Sequence, residues 1–149
     1  MNIAANPAIE ADQTIYLKDY QKPAFLVESI HLDIQVYDDH TIVDSTLVMK
    51  RQAAGELVLL GRDLELQSIQ MNGQLLNAGQ YQLDSEQLVI TDAPDQVILK
   101  IQVVIHPESN TQLEGLYKAG DLFVTQNEPE GFRKITFYPD RPDVLAEFT

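Results

Sequence analysis

SIHLDIQVYDDHTIVDSTLVMKR, residues 29–51, decides how this chain folds. Ile30, Leu32, Ile34 and Val36 alternate with His31, Asp33, Gln35 and Tyr37, the period of a half-buried strand. Asp38, Asp39 and His40 interrupt the alternation as a turn. Thr41 to Arg51 then forms a second strand rich in β-branched residues, so the stretch reads as a hairpin.

The same grammar extends outward. Glu56 to Leu60 is a third strand, and its run Leu57-Val58-Leu59-Leu60, apolar on both faces, predicts a central position. Asp63 to Met71 is a fourth, and Asn72-Gly73 is a strong hairpin-turn signal leading into Gln74-Leu75-Leu76. Tyr81-Gln82-Leu83 and Gln87 to Ile90 flank the tight turn Asp84-Ser85-Glu86. Val97, Leu99, Ile101, Val103 and Ile105 form the clearest strand, and Pro107, which lacks a donor, ends it. No window between 28 and 106 carries a helical period. The expected fold is all-β, an antiparallel β-sandwich or a saddle-like curved sheet with little helix. Upstream, residues 1–13 read as a loose leader, and the domain proper as 14–149.

A chain of 149 residues is one domain by length, and at 44% hydrophobic it can bury a core. Ten Lys and Arg against 23 Asp and Glu leave a net charge of −13, which repels phosphate backbones and excludes nucleic acid as a partner. That charge keeps the chain soluble, or favours a cationic ligand. There is no cysteine, hence no disulfide, thiol nucleophile or thiolate ligand, and this fits a reducing cytoplasm. No signal peptide is visible, and no run reaches the ~18 apolar residues of a membrane helix, so a cytoplasmic location without membrane contact is expected.

Catalytic signatures are missing. His31, His40 and His106 are scattered, without HExxH spacing, so no cofactor or metal site is expected in this chain. There is no GxSxG, P-loop, GxGxxG or EF-hand pattern. The polar residues gather instead in 113–149, which shows neither strand nor helix period. Gln126 and Glu128 are two apart, so on extended backbone they share a face. A carboxylate beside an amide oxygen suits an ammonium group, although a solvated acidic turn has the same spacing.

LEGLY at 113–117, TQNEPEGFR at 125–133 and ITFYPDRPDVLAEF at 135–148 resemble the end of the N-terminal domain of aminopeptidase N, in the bacterial branch of the thermolysin-like zinc aminopeptidases. The resemblance implies a β-rich domain packed on a catalytic domain, which carries the zinc and is absent here, and a chain cut slightly short. It implies peptide substrates with a free N-terminus. It also implies that Glu128 helps bind the substrate α-ammonium and that Gln126 lies beside the pocket for the first side chain. The remaining matched residues read as scaffold. Gly115 and Gly131 suit positive φ or close approach. Arg133 pairs with Asp140, and Arg141 with Asp143. Pro142 opens a short helix capped by Asp140. Glu130 is expected to be solvated. The competing reading is a free-standing β-sandwich module that binds a protein or carbohydrate; a reading frame that continues past Thr149 into a catalytic domain separates the two.

Overall fold

The fold was read from a computed structural model, which describes residues 16–149. The leader expected at 1–13 lies outside the described residues. The described residues form eleven strands: β1 (Phe25–Val36), β2 (Thr41–Arg51), β3 (Leu57–Leu60), β4 (Glu65–Met71), β5 (Gln74–Leu75), β6 (Gln82–Leu83), β7 (Gln87–Ile90), β8 (Gln96–Ile105), β9 (Gly115–Ala119), β10 (Leu122–Gln126) and β11 (Glu147–Phe148). Among the described residues helix is confined to two 3₁₀ turns, Leu17–Asp19 and Phe132–Lys134. No helix there is long and apolar enough to cross a membrane.

The hairpin expected at 29–51 is β1–β2, antiparallel from Phe25↔Arg51 to Val36↔Thr41. It forms the middle of a six-stranded sheet ordered β11-β1-β2-β8-β4-β5. Pairing within it is antiparallel except at β11, which runs parallel to β1. A three-stranded sheet, β3-β7-β6, faces it, and β9 and β10 form a separate hairpin. Alternation supplies the core. Val97, Leu99, Ile101, Val103 and Ile105 of β8 all point inward, packing with Val43, Leu47 and Met49 of β2 and with Leu57, Leu59, Leu88 and Ile90 of the smaller sheet. Asn72 and Gly73 both have positive φ (51° and 82°), the conformation a two-residue hairpin turn demands.

Two expectations need correction. β3 is an edge strand of the smaller sheet, not a central one. Its apolar run is satisfied because Leu57 and Leu59 enter the core while its outer edge is bridged by Tyr138 through Leu60, leaving Val58 exposed. Nor does Pro142 open a helix. Arg141-Pro142-Asp143-Val144 is a single turn closed by Val144 N–H on the Arg141 carbonyl, 3.1 Å. The Asp140 carboxylate cannot cap it, because that carboxylate is committed to Arg133.

The segment 132–144 is the second half of the core. Ile135, Phe137, Tyr138 and Val144 are buried, and the Thr136 hydroxyl meets that of Ser45 at 3.0 Å beneath β2. A Cβ on Gly61 would stand 2.3 Å from the Phe137 ring, so glycine is required where the ring passes. Truncating Phe137 to alanine would cost about 3–5 kcal/mol.

Candidate functional site

Gln126 and Glu128 sit where the β9–β10 hairpin returns to the body of the domain. The ladder begins at Leu122↔Ala119 and closes at Gln126↔Gly115. Beyond Gln126 the chain turns through Asn127–Gly131, held by Gly131 N–H on the Asn127 carbonyl at 3.0 Å. Both candidate residues are exposed. Their side chains do not lie side by side along a strand, because the backbone has already turned. The Gln126 amide instead donates to the Glu128 backbone carbonyl at 3.0 Å. Gln126 therefore braces the loop, and the Glu128 carboxylate projects with no cationic partner among the described residues.

Close packing fixes this loop. Gly115 has φ +70°, and a Cβ there would lie 2.6 Å from the Lys134 Cβ. Gly131 has an ordinary φ of −87°, so its requirement is space: a Cβ would lie 2.6 Å from the Gln126 carbonyl oxygen. The 3₁₀ turn Phe132–Lys134 follows at once and presents two cations inward.

Arg133 clamps the loop to the segment after Tyr138. Its Nε donates to Asp140 Oδ2 at 3.0 Å, and its Nη2 to the Asp140 carbonyl at 2.9 Å and to Glu130 Oε2 at 3.1 Å. The Arg133 backbone N–H adds a fourth bond to Asp140 Oδ2. With side chains only 15% and 14% exposed, Arg133 and Asp140 form a largely desolvated, charge-assisted pair. Glu130 is exposed to solvent, as expected, while also contacting Arg133, and it adopts a left-handed φ of 64°.

Lys134 is a residue the sequence reading passed over. Its side chain is 4% exposed, and its ammonium meets Asp63 Oδ2 at 2.8 Å and the Gln112 side-chain oxygen. The available signal was a lysine inside the buried run that ends in Ile135-Thr136-Phe137-Tyr138. Its partners, 71 and 22 residues away, are not visible in local pattern. A cavity of about 610 Å³ opens beside Asp63, Gln112 and Lys134, and neither Gln126 nor Glu128 borders it.

Arg141 makes a two-pronged pair with Asp143, 2.9 and 2.8 Å, and holds the Gln21 carbonyl at 3.0 Å. That pairing, with Tyr20 donating to Asp143 at 2.9 Å, holds the Asp143 carboxyl below the usual carboxylate range. The cluster fastens residues 20–21 onto the 141–144 turn. Burial pushes the Tyr138 phenol up to about 12, and its hydroxyl has no partner among the described residues.

Metal-binding geometry is a separate matter. Among the described residues no three His, Cys, Asp or Glu side chains converge as a metal site requires. His31 contacts Thr149, His40 contacts Asp39, and His106 contacts Glu65. Among the described residues these three histidines do not come together as ligands for one ion.

No family model matches the sequence. Individual proteins do. Aminopeptidase N of Caulobacter vibrioides is 42% identical over 142 residues, covering 94% of this chain and 16% of that protein. Aminopeptidase N of Escherichia coli is 41% identical over 139 residues, covering 92% and 16%. Among solved structures, Legionella pneumophila aminopeptidase A in complex with aspartic acid superposes with a TM-score of 0.81 at 29% identity, covering 89% of this chain and 16% of that one. An M1 zinc metallopeptidase from Deinococcus radiodurans shares the fold at a TM-score of 0.70 and 20% identity, covering 85% and 32%. The chain therefore spans about 16% of the curated relatives it matches.

In sequence and in fold the chain is similar to a domain of aminopeptidases. More narrowly, it is similar to aminopeptidase N over nine-tenths of its own length, and the N-terminal domain of that enzyme is the part that fits.

Proposed function

We propose that this chain is the substrate-facing N-terminal domain of a zinc-dependent aminopeptidase, an enzyme that removes N-terminal amino acids from peptides. Glu128 binds the α-ammonium of the substrate, and Gln126 shapes the loop that carries it. The observation that carries the reading is an exposed carboxylate without a cation, on a loop pinned from both sides by Gly115, Gly131 and the Arg133–Asp140 pair. An exopeptidase must read a positive terminus, and a carboxylate closed into a cleft does so by charge-assisted hydrogen bonding. Fixing the ammonium also sets which peptide bond reaches the reacting centre.

The zinc and the remainder of the cleft belong, in this reading, to a catalytic domain on the same polypeptide. The 16% share of the relatives' length supports that division. Leu113, Leu122, Leu145 and Phe148, exposed here, are the apolar surface such a neighbour would cover. The cysteine-free sequence supports a cytoplasmic setting.

Steady-state kinetics on the full-length protein with an alanine anilide test this. Glu128→Gln keeps the shape and removes the charge, and should lower kcat/KM about ten- to hundredfold, the worth of one charge-assisted bond of about 1.5–3 kcal/mol. Metal content should be unchanged. Glu130→Gln, which weakens only an exposed contact to Arg133, should leave kcat/KM within about threefold. A wild-type rate for Glu128→Gln would overturn the assignment.

A further inference from the structure

The β9–β10 hairpin is anchored at its base. Gly115 and Leu116 are buried, and the rest of both strands is exposed or half-buried. Gln126 pairs with Gly115 at that base, so the loop carrying Glu128 leaves the hairpin where the hairpin meets the domain. Whatever holds the base therefore aims the loop.

Lys134 holds it. Its Cβ lies so close under Gly115 that a Cβ on that glycine would be 2.6 Å away. Its backbone N–H donates to the Gly131 carbonyl at 3.1 Å, and a Cβ on Gly131 would lie 3.3 Å from the Gly115 nitrogen. Three backbones thus meet at the stem of one lysine. The far end of the stem is fixed by charge: the ammonium donates to Asp63 Oδ2 at 2.8 Å and to the Gln112 side-chain oxygen.

Both acceptors are themselves tied down. Arg62 N–H, next to Asp63, donates to the Arg133 carbonyl at 2.9 Å, and Gly61 N–H donates to the Glu86 carbonyl at 2.9 Å. Gln112 N–H donates to Asn110 Oδ1 at 3.1 Å, while the Asn110 amide donates to the Glu114 and Leu116 carbonyls at 2.7 and 3.0 Å. The ammonium therefore joins the rim of the smaller sheet to the approach to β9.

We propose that Lys134 is a positioning residue for substrate recognition, its ion pair with Asp63 aiming the Glu128 loop through Gly115 and Gly131, an inference that rests on the reading of Glu128 as the ammonium ligand. The Lys134 side chain is 4% exposed, so its charge has to keep these acceptors or move toward water. The cavity of about 610 Å³ beside it gives the ammonium that path. Without the Asp63 charge the stem swings toward the cavity, its contact with Gly115 loosens, and the Glu128 carboxylate is misaimed. Apolar groups in place of a buried ion pair are often neutral for stability, so what the charge contributes here is direction.

Inhibition of the full-length protein by an amino-acid amide, and by its counterpart with hydrogen in place of the α-amino group, tests this in wild type, Asp63→Asn, Glu128→Gln and the double variant. The Asp63 side chain is 68% exposed, so Asp63→Asn keeps the shape at the surface and removes the charge. An inhibition constant reads the active fraction alone, so lost stability does not imitate the effect. Asp63→Asn should weaken the amine-bearing ligand about fivefold or more and leave the deaminated one within about twofold. In the Glu128→Gln background it should add less than about twofold, because the group being aimed is gone. Asp63→Glu, which keeps the charge, should keep the wild-type ratio of the two ligands, and Lys134→Met should repeat the Asp63→Asn pattern. Equal losses for both ligands, or a full further loss on top of Glu128→Gln, would overturn the proposal in favour of a purely structural pair. Wild-type inhibition of Asp63→Asn beside a loss in Glu128→Gln would overturn it too, and leave the role of Glu128 standing. No loss in Glu128→Gln would overturn that role and the positioning of Lys134 together.

Discussion

Arg133 serves three acceptors at once, which makes it the residue on which the loop's position depends. Asp140→Ala would leave a guanidinium only 15% exposed without its main partner, so stability should fall by about 2–4 kcal/mol in urea unfolding. A change under about 0.5 kcal/mol would show that the pair is not what ties the loop to the 139–144 segment. The two glycines beside it separate two physical causes. Gly131→Ala places a methyl 2.6 Å from the Gln126 oxygen, and should cost about 1–3 kcal/mol while shifting Gln126 and Glu128 enough to lower kcat/KM in the full-length protein. Gly120→Ala, at φ +62° with open space around it, should cost about 1 kcal/mol of stability and leave kcat/KM alone. Equal kinetic effects from both would sever the link between loop packing and activity. At this scale the sequence was informative only in part. Arg133 with Asp140, and Arg141 with Asp143, were visible as opposite charges close in sequence within a Gly- and Pro-rich run. Lys134 with Asp63 was not, because the contact spans 71 residues.

Single strands were the most legible elements, since period-two alternation is a direct record of one buried and one exposed face. β1, β2, β8 and the Asn72-Gly73 turn all lie where the pattern put them. β9 and β10 were missed because only Gly115 and Leu116, at the base of the two-stranded ribbon, are buried, too little to impose alternation along either strand. The 3₁₀ turn at 132–134 is too short to show a period. One element junction should respond to pH. His106 sits between the Asp39 carbonyl (Nδ1, 3.1 Å) and Glu65 (Nε2, 3.2 Å), with Glu108 at 3.4 Å and His40 next to Asp39. Both ring nitrogens face acceptors, so the imidazolium is favoured, and the Asp39 carbonyl first and Glu65 second raise its pKa despite partial burial. A raised folded pKa contributes stability that is fully present below the unfolded value near 6.5 and is lost as pH rises through the folded value. Wild type should therefore exceed His106→Gln in unfolding midpoint at about pH 5.5, with the gap narrowing by about pH 8.5. A gap that widens with pH would refute the imidazolium.

For the molecule as a whole, two packed sheets hold one loop rigidly outward. Composition and alternation were enough to specify an all-β domain, because burial in both sheets is local in sequence. The loop proposed to meet the substrate was singled out only through the resemblance carried by 113–149, since an exposed acidic turn has no period of its own. The central claim is that Glu128 reads a positive charge, and it is best tested as a coupling. Inhibition of the full-length protein by an amino-acid amide, and by its counterpart with hydrogen in place of the α-amino group, should be measured for wild type and Glu128→Gln. Glu128→Gln should weaken the amine-bearing ligand about ten- to hundredfold and leave the deaminated one within about twofold. Equal losses for both ligands, or none for either, would contradict the account.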